Sequence, residues 1–439
     1  MKKLLSFVLA VVICFAFVSC GGAGYKKYSV ASAAAKVSVG YKDAQKEDYE
    51  AFLDKLDSFA SRLSEKVYSD SDRTKNLCIS PVSVYMALAL ATECASGETR
   101  EEILNAVGVT YDEVKSFTKV LYAFSNREFT YTNMLGNDKI AAFEELANSI
   151  WVDNDITLKD SGVNNLANNF NCDLFSVDFG NNQGEKAINA YIKDKTHGVI
   201  DGDIELSPET LITLINTFYL KDVWNDYGND LKFTDDTYEF KNTSGNTTAT
   251  KLLMGYYING DIYRGEGYTS FLAETDHNFK IKFIVPDSDH TLDQVFTAEN
   301  IYTINNITDY GYIDEENKLL HHTRALFPEY KASFDEDISD ILKEDFGINK
   351  LFDFEECDFS NVTDEEIACY GVIHKCSLEV NKKGIEGAAV TAMPSAGAAG
   401  PLEGYVKVYH DFIVDRAFGF VITDSYGTVL FSGVINEIK

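Results

Sequence analysis

Positive charge is scarce in this chain. Its 39 lysines and arginines stand against 69 aspartates and glutamates, a formal net charge of -30, and such a surface repels phosphate backbones and anionic lipid instead of releasing counterions from them. Nucleic acid is not an expected partner. Catalytic signatures are missing as well: there is no G-x-S-x-G nucleophile elbow, no H-E-x-x-H metal helix and no Walker lysine. The nearest glycine pair, Gly265 and Gly267, lacks a third glycine. No enzyme and no cofactor are implied. Internal repeats and coiled-coil heptads are absent, and nothing beyond the leader is long and apolar enough to cross a bilayer.

Cysteine usage excludes a further class. Six cysteines lie beyond Cys20, at Cys78, Cys94, Cys172, Cys357, Cys369 and Cys376, with no C-x-x-C among them. An oxidising compartment permits bridges, but wide spacing in a large domain favours buried free thiols, and no obligatory bridge is expected. The acidic runs 335–340 and 353–358 lack the spaced ligands and central glycine of a calcium loop, so they read as solvated faces. His321 and His322 are adjacent, which makes their rings diverge in regular structure, and no cysteine or acid sits at ligand spacing. Both read as surface residues, and no metal is expected.

What is present bounds the fold. The chain has 439 residues, 45% hydrophobic and 13% aromatic, enough for a large core in two or three ordinary domains or in one large α+β domain. Residues 1–20 read as an export signal: Lys2 and Lys3 precede an apolar run over 4–18 that is too short to span comfortably. It ends in FVSCGG, where Ser19, Cys20 and Gly21 resemble a bacterial lipobox whose cysteine is lipidated after cleavage. Ordinary cleavage nearby is the rival, because Phe17 stands where leucine is more common. The protein is expected outside the cytoplasm, secreted or held at the cell surface by a lipid that anchors without spanning. Residues 21–46, rich in Gly, Ala, Ser and Lys, read as a tether, with folded structure from Glu47 to about residue 437.

Apolar residues at Phe52, Leu53, Leu56, Phe59, Leu63 and Val67 make a helical stripe. A second helix starts after Pro81 and is apolar on nearly every face, and a third is expected over 96–108. Runs at 211–219, FKIKFIVP, YVKVYHDFIV and FGFVIT suggest central strands. Helices cluster early and strands late, which argues for α+β over a regular βαβ repeat.

The most unusual segment is 384–404, dominated by Gly, Ala and Pro and followed by strongly apolar sequence. A flexible stretch that joins a domain to its own last strands is a functional excursion more readily than a linker.

At this segment the chain resembles the serpin family. EVNKKGIEGAAVTA is similar to the serpin hinge: a strand ending at Glu379, Val380 and Asn381, then Gly384, an acid at Glu386, and small residues from Gly387 to Ala392. NLCISPVSVYMAL resembles the start of the family's second helix. Asn189, Thr196, Gly198 and Ile200 fit the close of the helix that crosses the main sheet, and LINTFYLKDVW the strand leading to the breach. FPEYKASFDEDISDILKEDFGINKLFD and DFIVDRAFGFVITDSYGTVLFSGVIN resemble later segments, so the match runs in family order over 52–436. Departures are Ile385 where threonine is usual, Ala417 and Glu437 where proline is common, and Tyr191 where tryptophan is frequent.

The resemblance implies one serpin domain of about eight or nine helices and three β-sheets, with an exposed reactive-centre loop over about 384–406. It implies a monomer that forms a covalent complex with a serine protease. The protease attacks the loop, and the freed hinge enters the main sheet while still tethered to the enzyme. The hinge would comprise Gly384, Ile385, Glu386, Gly387, Ala388, Ala389, Val390, Thr391 and Ala392. Alternation puts Ile385, Gly387, Ala389, Thr391 and Met393 on the inward face, all small or apolar. Ser80, Ser83, Asn216 and His374 would form the shutter beneath the opening sheet, with Trp224 at the breach. Family spacing from Glu386 puts the cleaved bond at Ala398 and Ala399, suited to elastase-like enzymes. Counting back from Phe412 points nearer Gly404, so the bond stays bracketed within 393–407, with Leu402 and Tyr405 as chymotrypsin-like alternatives. The implied alternative to inhibition is a non-inhibitory serpin-fold surface lipoprotein or binding protein.

Overall fold

Helix α1 runs from Asp43 to Asp70 and buries Phe52, Leu53, Leu56, Phe59, Leu63 and Val67. It starts ahead of the expected Glu47, a turn that the apolar stripe could not mark because Asp43 to Lys46 are polar or small. The computed structural model describes residues 26–27, 43–132, 138–200, 204–224, 230–258, 262–307, 313–314, 318–385 and 406–438. Helix α2, Pro81–Cys94, is buried along its whole length, as an all-round apolar surface requires. Its one acid, Glu93, accepts the Tyr111 hydroxyl at 2.9 Å. The next helix, Gly97–Val107, ends on Gly108 at φ +84°, a left-handed cap that favours glycine.

Ten strands position the site. In chain order they are β1 (Lys26–Lys27), β2 (Leu77–Ile79), β3 (Asn126–Thr132), β4 (Asp138–Asp153), β5 (Cys172–Val177), β6 (Ile212–Val223), β7 (Tyr330–Asp337), β8 (Ile373–Asn381), β9 (Gly384–Ile385) and β10 (Val406–Ile413). The main sheet has the order β1-β5-β4-β6-β9-β8-β7, with β3 on β4. Helix and strand thus both enter the span expected as tether. β2 belongs to a six-stranded sheet and β10 to a five-stranded one, and a two-stranded ladder completes the set. With nine α-helices among the described residues, the fold is α+β. The separation of early helices from late strands is only partial, since the main sheet takes β3 to β6 from the first half and β7 to β9 from the second.

Strands β4 and β6 pair antiparallel from Phe143 opposite Lys221 to Val152 opposite Ile212, and β7 and β8 from Tyr330 opposite Val380 to Asp337 opposite Ile373. Between these blocks, among the described residues, only β9 makes a ladder with both sides. The described chain stops in the main sheet at Ile385 and resumes in another sheet at Val406, where β10 runs parallel to the strand Leu319–Phe327.

The helix Gln183–Lys195 lies on the main sheet through Ala187, Ile188 and Ile192, which pack with Trp151, Phe175 and Ile215. Its end is closed by side chains: Thr196 Oγ1 donates to the Ile192 carbonyl at 2.7 Å and accepts from the Ile200 N–H. One expectation fails here. His322 is buried, not at the surface, because Leu319–Phe327 is an interior strand with Leu253–Ile258 on one side and β10 on the other. The acidic runs do face solvent: Asp335, Glu336, Asp337, Asp340 and residues 353–356 are exposed. Among the described residues no cluster of three His, Cys, Asp or Glu side chains could hold a metal ion.

Candidate functional site

The seam between β6 and β8 is closed at its upper end by a two-residue turn, Lys382 and Lys383, that reverses β8 into β9. Three successive carbonyls, from Asn381 at the end of β8 through the turn, are engaged. The Trp224 indole Nε1–H donates to Asn381 O at 2.7 Å, the Leu231 N–H to Lys382 O at 2.7 Å, and the Trp224 N–H to Lys383 O at 3.2 Å. Trp224 is buried, with its ring 5.5 Å from that of Phe327. An aromatic that fills a core and satisfies a backbone acceptor fixes the turn on both counts.

Gly384 then pairs with Val223, and Ile385 with Asp222. A Cβ on Gly384 would lie 1.9 Å from the Asp222 carbonyl oxygen, and its φ is +154°, so both the close approach and the backbone favour glycine. Ile385 is fully buried, which agrees with a branched apolar residue in a sheet interior.

Asp222 carries a buried carboxylate beside this pairing. Its Oδ1 accepts the Val223 N–H at 2.8 Å and His277 Nδ1 at 2.7 Å, and its Oδ2 accepts the His277 N–H at 3.0 Å. Burial disfavours the His277 cation and Arg127 repels it, yet the bond to Asp222 and the charges of Asp222 and Asp276 prevail and raise its pKa above the ordinary 6.5.

Lower in the seam the chemistry changes. The Ser80 N–H donates to His374 Nε2 at 3.0 Å, and burial pushes the His374 pKa down to about 4, so the ring is a neutral acceptor. Asn216 donates its amide N–H to Asn148 Oδ1, its directly opposed residue on β4, and Asn148 donates to Phe170 O at 2.9 Å. Among the described residues, Ser80 Oγ, Asn216 Oδ1 and Thr217 Oγ1 are buried without hydrogen-bond partners. Ser83 is buried in the first turn of α2.

The structure therefore brings Ser80 to His374, sets Asn216 against Asn148, and puts Trp224 against the turn before Gly384. Glu386, Gly387, Ala388, Ala389, Val390, Thr391 and Ala392, the bond at Ala398 and Ala399, and Cys20 lie outside the described residues. Sequence reasoning missed Asn148, Asp222 and His277. Their partners lie 68 and 55 positions away in the chain, and no local spacing signals such pairs.

Comparisons with known proteins bear on the family and the fold. The family model described as "Serpin (serine protease inhibitor)" matches residues 54–438. Iripin-1 of Ixodes ricinus is 28% identical over 375 residues, covering 83% of this chain and 89% of its own. The native-state crystal structure of the thermophilic serpin tengpin aligns with a TM-score of 0.69 at 22% identity, covering 92% of this chain and 96% of tengpin. Human thyroxine-binding globulin, crystallised in complex with thyroxine, aligns at 0.70 with 20% identity, covering 89% of this chain and 99% of its own. At these identities the two structures speak for the fold alone, while the family match spans nearly the whole described chain. This chain belongs to the serpin family.

Proposed function

We propose that this chain inhibits a serine endopeptidase as a suicide substrate, by trapping the acyl-enzyme through insertion of its hinge into the main sheet. The observation that carries the reading is β9, seated between two parallel strands that share no ladder of their own among the described residues. Continuing its register residue by residue would set Ala389 opposite Cys376 and Phe218, and Thr391 opposite His374 and Asn216. The inward-facing hydroxyl of Thr391 would arrive at the level where Ser80 Oγ and Asn216 Oδ1 lack partners.

Thirteen residues inserted at about 3.3 Å each make roughly 43 Å of new strand. That displacement drags the tethered protease across the inhibitor and pulls the ester from its oxyanion hole and triad, so deacylation stalls. The native state must then be kinetically trapped above a more stable inserted one. Small residues at Ala398 and Ala399 favour elastase-like targets, and Leu402 or Tyr405 chymotrypsin-like ones. The same reading makes the chain a non-enzymatic monomer with an export signal over 1–20, lipid on Cys20, a tether over 21–46 and a serpin domain over 47–437. Among the described residues no helix is long and apolar enough to cross a membrane.

The test mixes the mature chain with elastase, chymotrypsin and trypsin and resolves the products on denaturing gels, with mass spectrometry of the released peptide. A covalent complex that survives denaturant supports trapping, and the peptide mass gives the bond. Clean cleavage with no complex and no gain in thermal stability overturns the proposal in favour of a non-inhibitory surface or binding protein. Ala389→Arg would drive a charge against Cys376 and Phe218, converting inhibitor to substrate. Unchanged complex yield in that variant would refute the insertion register.

A further inference from the structure

Two thiols meet beneath the main sheet. Cys78, the middle residue of β2, and Cys376 of β8 bring their Sγ atoms to 3.3 Å. Cys78 is fully buried and Cys376 is 5% exposed. A second tie joins the same two segments two residues further on, from the Ser80 N–H to His374 Nε2, so their alignment is fixed at two points. A disulfide has an S–S length near 2.05 Å, which each sulfur would reach by moving about 0.6 Å.

We propose that Cys78 and Cys376 are an oxidisable dithiol, a modification site that closes to a disulfide by exchange with a small-molecule disulfide and ties β2 to β8. One thiolate attacks the reagent, releasing a first reagent thiolate and leaving a mixed disulfide. The second cysteine attacks the protein-side sulfur of that mixed disulfide, and the second reagent thiolate leaves. Two protein S–H bonds and one reagent S–S bond are exchanged for one protein S–S bond and two reagent S–H bonds, and the two electrons pass to the reagent.

Burial, together with the neighbouring thiol, raises the Cys78 pKa well above its ordinary value. Exchange therefore waits for a local opening that admits water and reagent between β2 and β8. Once formed, the bond closes a loop of about three hundred residues, the regime in which a crosslink restricts the unfolded chain most.

The test treats the reduced full-length chain with 2-hydroxyethyl disulfide, in buffer and in sub-denaturing urea. Non-reducing tryptic mapping should recover a peptide over 76–100 joined to one over 376–382, with fragmentation assigning the bond to Cys78 and not Cys94. The closing rate should rise with urea. The thermal midpoint should rise by about 5 °C and fall back on reduction. Cys376→Ala should abolish the linked peptide and the shift, whereas Cys369→Ala should keep both. Persistently free thiols, a stable mixed disulfide, or a bond mapped to Cys94, Cys357 or Cys369 overturns the proposal. Should Cys376→Ala fail to fold, the wild-type map alone decides. No protease enters the readout, so this proposal and inhibition stand or fall separately.

Discussion

The two ends of the seam between β6 and β8 are finished differently. At the upper end every carbonyl from Asn381 to Lys383 accepts a hydrogen bond, Ile385 is sealed in, and Gly384 leaves no room for another atom. At the lower end Ser80 Oγ, Asn216 Oδ1 and Thr217 Oγ1 are buried without partners among the described residues, each costing about 1–3 kcal/mol relative to a satisfied group. The upper end reads as a finished hairpin that aims β9 downward, and the proposed insertion would draw on the lower end for hydrogen bonds.

The comparison breaks hardest at Gly384. Gly384→Ala forces a Cβ onto the Asp222 carbonyl in a backbone region side chains rarely adopt, and should lower native stability by about 4 kcal/mol, from overpacking and backbone strain together. Chemical denaturation of the uncleaved chain measures it. A loss under 1 kcal/mol would mean that β9 is not held against β6.

The next effect tests the lower end through pH. His374 titrates at about 4 in the folded chain because of burial, below the unfolded value near 6.5. Its depressed pKa means that the unfolded state takes up the proton first, so stability is full above pH 6.5 and falls as pH drops toward 4. The loss amounts to about 3 kcal/mol by pH 4. His374→Gln should flatten that part of the profile, and an unaltered acid limb would sink the assignment.

How much of this was legible beforehand follows from where each interaction lives. The helical stripe of α1, the all-apolar α2 and the strand runs showed their periodicity directly, and in-order motifs located Gly384, Trp224 and His374. The two-residue strand β9 could not be read, because Gly384 and Ile385 form a strand only through the neighbours that tertiary folding supplies on both sides. His322 was misplaced for a related reason: whether a strand is interior depends on β10, which lies more than eighty residues later. Asp222 and His277 escaped notice because a buried charge pair leaves no local pattern.

Within the upper end, Trp224→Phe separates packing from hydrogen bonding. The ring against Phe327 survives while the donor to Asn381 O is lost, so the chain should lose about 2 kcal/mol, mostly from the orphaned carbonyl. Thermal unfolding would show it, and a neutral result would reduce the indole to filler.

The smallest effect is the most diagnostic, because its sign opposes that of His374. The pKa of His277 is raised in the folded chain by Asp222 against the pull of burial, so its contribution is fully present below pH 6.5 and is lost as pH rises through the folded value. His277→Gln should therefore cost about 1 kcal/mol at pH 6 and progressively less toward pH 9, the reverse of the His374 trend. Asp222→Asn should return the His277 titration, followed by NMR, toward its ordinary range and erase the pH dependence of the His277→Gln difference. If that difference is flat from pH 6 to pH 9, His277 carries no proton in the folded chain over that range, and the two ends of the seam are not divided by charge.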